Sequence, residues 1–338
     1  MYVSCALNSV ATIIAIFMVL KHSPKNMGIY KYILLNIVLW SFAMDIIYTL
    51  LWMPLQIMPA PGICITGLLS PLGQYNGNGA CLLAFIMTYV GCNMSCCHAQ
   101  FYRVITAKGK STMFFSYPWM IAITVLSHIL PATPGIFAYL YALELDDEAL
   151  KDYFVKNFPN IRFIVENLPC GGFIIDGNHE KWKIFFGTCF FCLSGCLCLS
   201  AGMLTYILKT LKRVLKNSVS MKSAQLQRQL ILTLVVQSCL PSICLGLPYL
   251  MTVLASMVGG NTLSEISTLL VAVGSLHSFF HTIVLILMIQ PYKLALSNLV
   301  CKNQSQVDGA SYKTPSNVKF IRNKHTVFSI NLRSSTVN

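Results

Sequence analysis

The stretch SLHSFFHTIVLILMIQPYK, Ser275 to Lys293, decides how the chain is to be read. It is apolar almost throughout, yet it carries two histidines four residues apart, His277 and His281, and it stops at Gln290-Pro291-Tyr292-Lys293. One helical turn separates the imidazoles, so both can lie on one face. A metal pair, a buried core helix and a membrane crossing all fit these residues taken alone. The metal reading is the weakest, because no Glu stands between the histidines and no third ligand is identifiable in the sequence. Hydrogen bonding within a bundle, or lining of a cavity, suits them better.

Composition separates the other two readings. Of 338 residues, 55% are hydrophobic and 10% are charged, whereas soluble domains carry about 25% charged residues. So few charges cannot cover a soluble protein of this size. A helix crossing about 30 Å of hydrocarbon needs roughly 20 apolar residues. Seven segments qualify: 2–20, 32–58, 80–102, 117–143, 184–208, 230–258 and 264–289. The first lacks the short apolar core and small-residue cleavage site of a signal peptide, and Lys21, Lys25 and Lys31 follow it. It begins almost at Met1, so either the outer N-terminus is nearly absent or the chain is truncated there.

Charge orders the segments. The net charge of +13 alone suggests either nucleic acid or basic cytoplasmic loops. Nineteen of the 24 Lys and Arg residues fall in the first, third and fifth loops and in the tail from Pro291. The second and sixth loops have none, and the fourth, 144–183, has five basic residues against eight acidic ones. Nucleic-acid binding would not alternate with each crossing. The positive-inside rule then puts the N-terminus outside and the tail, 294–338, inside as a disordered segment. An odd number of spans, no internal repeat and few intramembrane charges speak against a transporter. No nucleotide-binding loop, HExxH or GxSxG is present, and nothing points to an enzyme or a cofactor.

Several residues stand out within this frame. Asp45 lies near the middle of the second span, where a carboxylate must face the bundle interior. It could hold an ion or a water network, or it could pair with polar groups on neighbouring helices. Most of the 14 cysteines lie within spans, where free thiols behave as small apolar groups. Cys64, Cys81 and Cys170 face the oxidising side. A Cys81–Cys170 bridge would tie the fourth loop over the bundle and leave Cys64 as the odd thiol, or as a rival partner. Cys301, just past the last span, is either a palmitoylation site or a free thiol. In the fourth loop, Asp146 caps a helix ending at Pro159, and IRFIVEN and GGFIIDG read as two short strands.

The motifs SPKNMGIYKYILLN, WSFAMD and MPAPGICITGLLSPLG follow one another from the first loop onward. They resemble nematode chemoreceptors of serpentine receptor class h, with class i a close second, in the Str superfamily of G-protein-coupled receptors. LQRQLILTLVVQSCLPSICLGLP, with Gln237 and Pro241, resembles that family's sixth span. The opening stretch resembles its final helix, with its Ser-Leu-His start and Pro-Tyr-Lys close. The resemblance covers about Leu20 to Lys293 and implies an all-α, seven-transmembrane bundle. It further implies a small environmental ligand, such as an odorant or pheromone, a heterotrimeric G-protein partner, and a plasma-membrane site in the cilia of chemosensory neurons. A non-signalling member of the family, or a seven-span transporter or channel, is the competing reading.

The expected mechanism places the ligand in the outer half of the bundle, entering from outside. By depth, Trp52, Gln56, Met87, Tyr249 and His277 are candidates for the pocket. Asp45, Gln237, Pro241 and Pro248 are candidates for activation, the prolines as bending points. Arg103, Lys212, Arg213 and Lys216 are candidates for the G-protein face. HAQFYRV around Arg103 lacks the adjacent acid of an Asp-Arg-Tyr ending. The topology yields a direct test. A tag after Asn338 should be reached by antibody only in permeabilised cells, and staining of intact cells would reverse the orientation.

Overall fold

The computed structural model describes residues 1–24, 27–57, 60–107, 117–143, 146–175, 181–217, 221–258, 269 and 272–298. In chain order the elements are α1 (Tyr2–Lys21), α2 (Tyr30–Ile46), β1 (Pro54–Gln56), β2 (Gly62–Ile65), α3 (Ala80–Ala107) and α4 (Tyr117–Ala142). There follow α5 (Asp147–Asn157), α6 (Arg162–Asn167), β3 (Cys170–Gly172), α7 (Lys181–Asn217), α8 (Met221–Pro241), α9 (Leu247–Val258) and α10 (His277–Met288). Turns of π-helix extend α2 over Ile47–Trp52, precede α3 over Gln74–Gly79, and join α8 to α9 over Ser242–Gly246. Among the described residues, six helices are long and apolar enough to cross a membrane. A seventh crossing results if α10 is counted with Gln290–Asn298, which is bent from it by 93°. Residues 259–268, where the last span was expected to begin, and the tail from 299 with Cys301 lie outside the described residues.

The second span is shorter than its apolar run. The run extends to Met58, but the helix stops at Trp52 because Met53 turns into the left-handed region at φ 46°. Pro54, which has no N–H to continue the ladder, then opens β1. Helix ends leave carbonyls without intrahelical donors. Here the chain doubles back to supply them. Leu68 N–H donates to Leu50 O at 3.0 Å, Leu69 N–H to Leu51 O at 3.1 Å, and Gly67 N–H to Trp52 O at 2.9 Å. The Thr66 hydroxyl donates to Met53 O at 2.7 Å.

The return path forms a three-stranded antiparallel sheet in the order β1-β2-β3. Its register sets Cys64 directly opposite Cys170, and these two form the disulfide. The expected Cys81–Cys170 bridge is therefore incorrect. Cys81 is a buried free thiol in the cluster of Met44, Tyr48, Trp52, Ile65 and Phe85. The tether itself remains, now joining the second loop to the fourth. Closing a loop with a sequence separation of 106 stabilises by roughly 4–5 kcal/mol in the chain-entropy account.

The fourth loop also departs from expectation in part. Asp146 caps α5 as expected, its Oδ1 accepting from the N–H groups of Glu148 and Ala149 at 3.1 Å. IRFIVEN is not a strand: α6 forms there, with an Arg162–Glu166 pair at 2.7 Å one turn apart. Of the second candidate, GGFIIDG, Gly171 and Gly172 alone among the described residues pair as a strand, in β3 with Cys170. Leu150, Phe154, Ile161 and Val165 pack with Ile57, Cys64 and Cys170, so the two short helices cover the sheet. Burial of these apolar faces against the sheet overrode the β propensity of Ile and Val.

Polar pairs tie the helices below. His277 Nδ1 and Asp45 Oδ1 meet at 3.0 Å, joining α10 to α2, with both side chains buried. Asn8 donates to Ser275 O at 2.8 Å, and Asn36 to Ser95 at 2.7 Å. Trp40 stacks on His128 with ring centroids 4.8 Å apart. The disulfide assignment predicts that Cys64→Ser and Cys170→Ser each lower the thermal stability of the purified protein. The double variant should cost no more than either single change, while Cys81→Ala leaves the non-reducing peptide map unaltered.

Candidate functional site

A single face of α3 begins the site. Leu82, Phe85, Ile86, Tyr89 and Val90 recur at helical spacing and line a cavity of about 430 Å³ beneath the sheet. Pro61, Gly62, Gly172 and Phe173 roof it. Tyr139 of α4, Phe185 and Phe186 of α7 and Tyr249 of α9 complete the walls. No Asp, Glu, Lys, Arg or His lines it among the described residues. Such a chamber suits an uncharged, largely apolar molecule.

Aromatic rings set its shape. Phe85 is the hub, with ring centroids 5.1 Å from Tyr249, 5.5 Å from Tyr48 and 5.6 Å from Trp52. Phe173 leaves β3 and packs on Phe185 and Phe186 at 4.8 and 5.4 Å. Trp52 is fully buried, and its indole N–H donates to Asn78 Oδ1 at 2.6 Å. The Asn78 amide in turn donates to Ile63 O at 2.7 Å. One side chain thus fixes the end of α2 and the central strand against the start of α3.

Below the cavity lies the π turn that follows Pro241. Pro241 has no N–H for the carbonyl one turn earlier, and the ladder slips into the wider turn Ser242–Gly246. The Tyr89 hydroxyl rests against this turn. A methyl group at Gly246 would come within 2.9 Å of it. That hydroxyl is buried without a hydrogen-bond partner among the described residues. A cavity-lining side chain therefore bears directly on the irregular segment of the α8–α9 helix.

The residues singled out from the sequence divide as follows. Trp52, Gln56 and Tyr249 line the cavity, whereas Met87 and His277 are not among its lining residues. His277 is held by Asp45 instead. Gln237 is fully buried, with neither amide atom hydrogen-bonded among the described residues, and His281 Nε2 is in the same state. Pro248 sits in the first turn of α9. Lys212, Arg213 and Lys216 fall in the last turns of α7, and their side chains lie outside the described residues.

Arg103, near the end of α3 away from the sheet, lies over the ring of Tyr30 at 3.5 Å from guanidinium carbon to centroid. Tyr102 stacks on the same tyrosine with ring centroids 5.8 Å apart. Arg103 thus makes a cation–π contact with the face of an aromatic ring.

Phe85, Tyr89, Asn78, Phe173, Phe185 and Phe186 were not anticipated as site residues. The stripe on α3 was readable as a period of three and four, but nothing in it marks a cavity wall rather than ordinary packing. No curated protein matches the chain. The family model described as serpentine type 7TM GPCR chemoreceptor Srh matches residues 1–302. With its apolar spanning helices and this coverage, the chain belongs to the Srh family of serpentine seven-transmembrane chemoreceptors and is a multi-pass membrane protein.

Proposed function

We propose that this receptor binds a small, uncharged, mainly apolar environmental molecule in the cavity under the sheet and relays occupancy to a heterotrimeric G protein at the opposite end. The observation that carries this reading is the aromatic, charge-free chamber itself, in contact with the π turn through Tyr89. The sheet end faces outward in this reading, which accords with a Cys64–Cys170 disulfide on the oxidising side. A plasma-membrane position in sensory cilia follows from the family.

The relay works by population shift. A ligand moves the equilibrium only by the difference of its affinities for the resting and active arrangements. Tyr89 supplies such a difference. Its ring belongs to the cavity wall, and its hydroxyl bears on Gly246. A ligand that displaces the ring changes the fit of the π turn, and Pro241 gives the helix a place to bend. Bending would part α8 from α3 near Gln100, whose amide donates to the Ser238 hydroxyl in the resting arrangement. At the end of α3, Arg103 leaves the Tyr30 ring to meet the partner, and the basic Lys209–Arg228 segment, including Lys212, Arg213 and Lys216, adds charge.

Two measurements test this. Phe85→Ala removes the hub of the aromatic wall, so the response to an active odorant, read by calcium imaging at matched surface expression, should fall at least about tenfold in potency. Loss of maximum response with unchanged potency would place binding elsewhere. Tyr30→Leu keeps an apolar side chain but removes the ring face, a contact worth about 1 kcal/mol. It should raise ligand-independent signalling, whereas Arg103→Ala should abolish evoked signalling with binding intact. A silent Tyr30→Leu receptor with normal surface expression would remove the aromatic latch from the mechanism.

A further inference from the structure

The roof of the cavity is two layers deep. The sheet closes it directly, and Leu150 and Phe154 of α5, 1% and 0% exposed, pack over the sheet. There is little slack between the layers, since a methyl group at Gly172 would come within 2.7 Å of the Phe154 ring. The Cys64–Cys170 disulfide staples the two loops that form it.

The side wall is built differently. Phe191, Gly195 and Leu199 line the cavity, yet all three stand exposed on α7, Phe191 at 75% and Leu199 at 49%. Four-residue spacing puts them in one row along the helix. Residues that belong both to a cavity wall and to the outer surface mark the place where the two are continuous. Across from them the wall is made by Pro131, Ala132 and Gly135 of α4, which are short or compact. A side chain at Gly195 would meet no atom within 4 Å. Gly195 lies roughly 21 Å along α7 from Lys181 at 1.5 Å per residue. The apolar span runs over the 30 residues Lys181–Thr210, so Gly195 sits near its middle, at hydrocarbon depth.

We propose that the ligand enters this cavity sideways from the bilayer, through a portal between α4 and α7 at Gly195, and is therefore a molecule that partitions into lipid, such as a medium-chain alcohol, ketone or ester. This rests on the cavity being the ligand site. It replaces the entry from outside that the sequence suggested. Among the described residues no charged side chain lines the cavity or the row Phe191, Gly195 and Leu199, which fits such a molecule.

The test uses the full chain reconstituted in liposomes whose bilayer is loaded with decanol bearing a diazirine. Samples are irradiated after increasing delays, and labelling of the α3 segment around Phe85 and Tyr89 is followed by peptide mapping. Gly195→Trp fills the portal from a position with open space. It should slow cavity labelling about tenfold, the effect of a barrier raised by one decade in rate, and leave the final extent unchanged. Gly202→Trp is the control, since Gly202 has equally open surroundings but does not line the cavity. Its labelling rate should match wild type. Leu199→Trp, on the exposed row, substitutes for Gly195→Trp if that variant fails to fold. Labelling of the cavity at equal rates in all variants would overturn the portal and leave the ligand site standing. A lower final extent at an unchanged rate would also count against the portal. Absence of cavity labelling in the wild-type protein would overturn both.

Discussion

The second helix ends within the protein, and its last carbonyls need donors that hydrocarbon does not offer. An unpaired buried carbonyl costs roughly 1–3 kcal/mol, and membrane proteins tolerate irregular backbone only where protein or a cavity satisfies it. Here the segment from Thr66 to Leu69 turns back and donates to the carbonyls of residues 50–53. That return fixes the hairpin of β1 and β2. The hairpin presents Cys64 to Cys170, draws β3 into the sheet, and provides the surface on which α5 and α6 lie. The roof of the cavity, and hence the cavity, follows from the way one helix is terminated.

The polar groups inside the bundle play two different parts. Asp45 Oδ1 and His277 Nδ1 pair with one another and join helices distant in sequence. A buried pair of this kind contributes little net stability, but loss of one partner is expensive. It therefore favours one packing of α10 against α2 rather than adding much to overall stability. Gln237 and the Tyr89 hydroxyl are buried without partners among the described residues, and both lie near Pro241 and the π turn. Tyr89 lines the cavity and also bears on Gly246 of the π turn, so the wall of the chamber and the irregular helical segment share one side chain.

Much of this molecule was legible before any coordinates. Runs of about 20 apolar residues marked the helices that are long and apolar enough to cross a membrane, because that property belongs to each segment by itself. The Asp146 cap was equally readable, since it depends only on residues two and three positions ahead. The prolines marked the irregular helix. By contrast, Met53 gave no warning that the second span would stop there. IRFIVEN, rich in β-branched residues, became helical because Val165 finds a buried place on the sheet.

The candidate site divides in the same way. Trp52, Gln56 and Tyr249 were within reach of an argument from depth alone. Phe173 and Asn78 were not, because each gains its role by contact with a segment far away in the chain. His277 shows the limit most clearly. Its depth suited a pocket, but Asp45 lay closer. The choice of Cys64 over Cys81 was likewise closed to the sequence. Both thiols lie on the same side of the membrane in the sequence reading, and only strand register places one of them opposite Cys170. The sequence by itself determined which segments are apolar enough to cross a bilayer, because that depends on the composition of each segment. Tertiary structure alone decided the disulfide, the roofed cavity and its exposed flank, because these depend on which distant residues come within a few ångströms of one another.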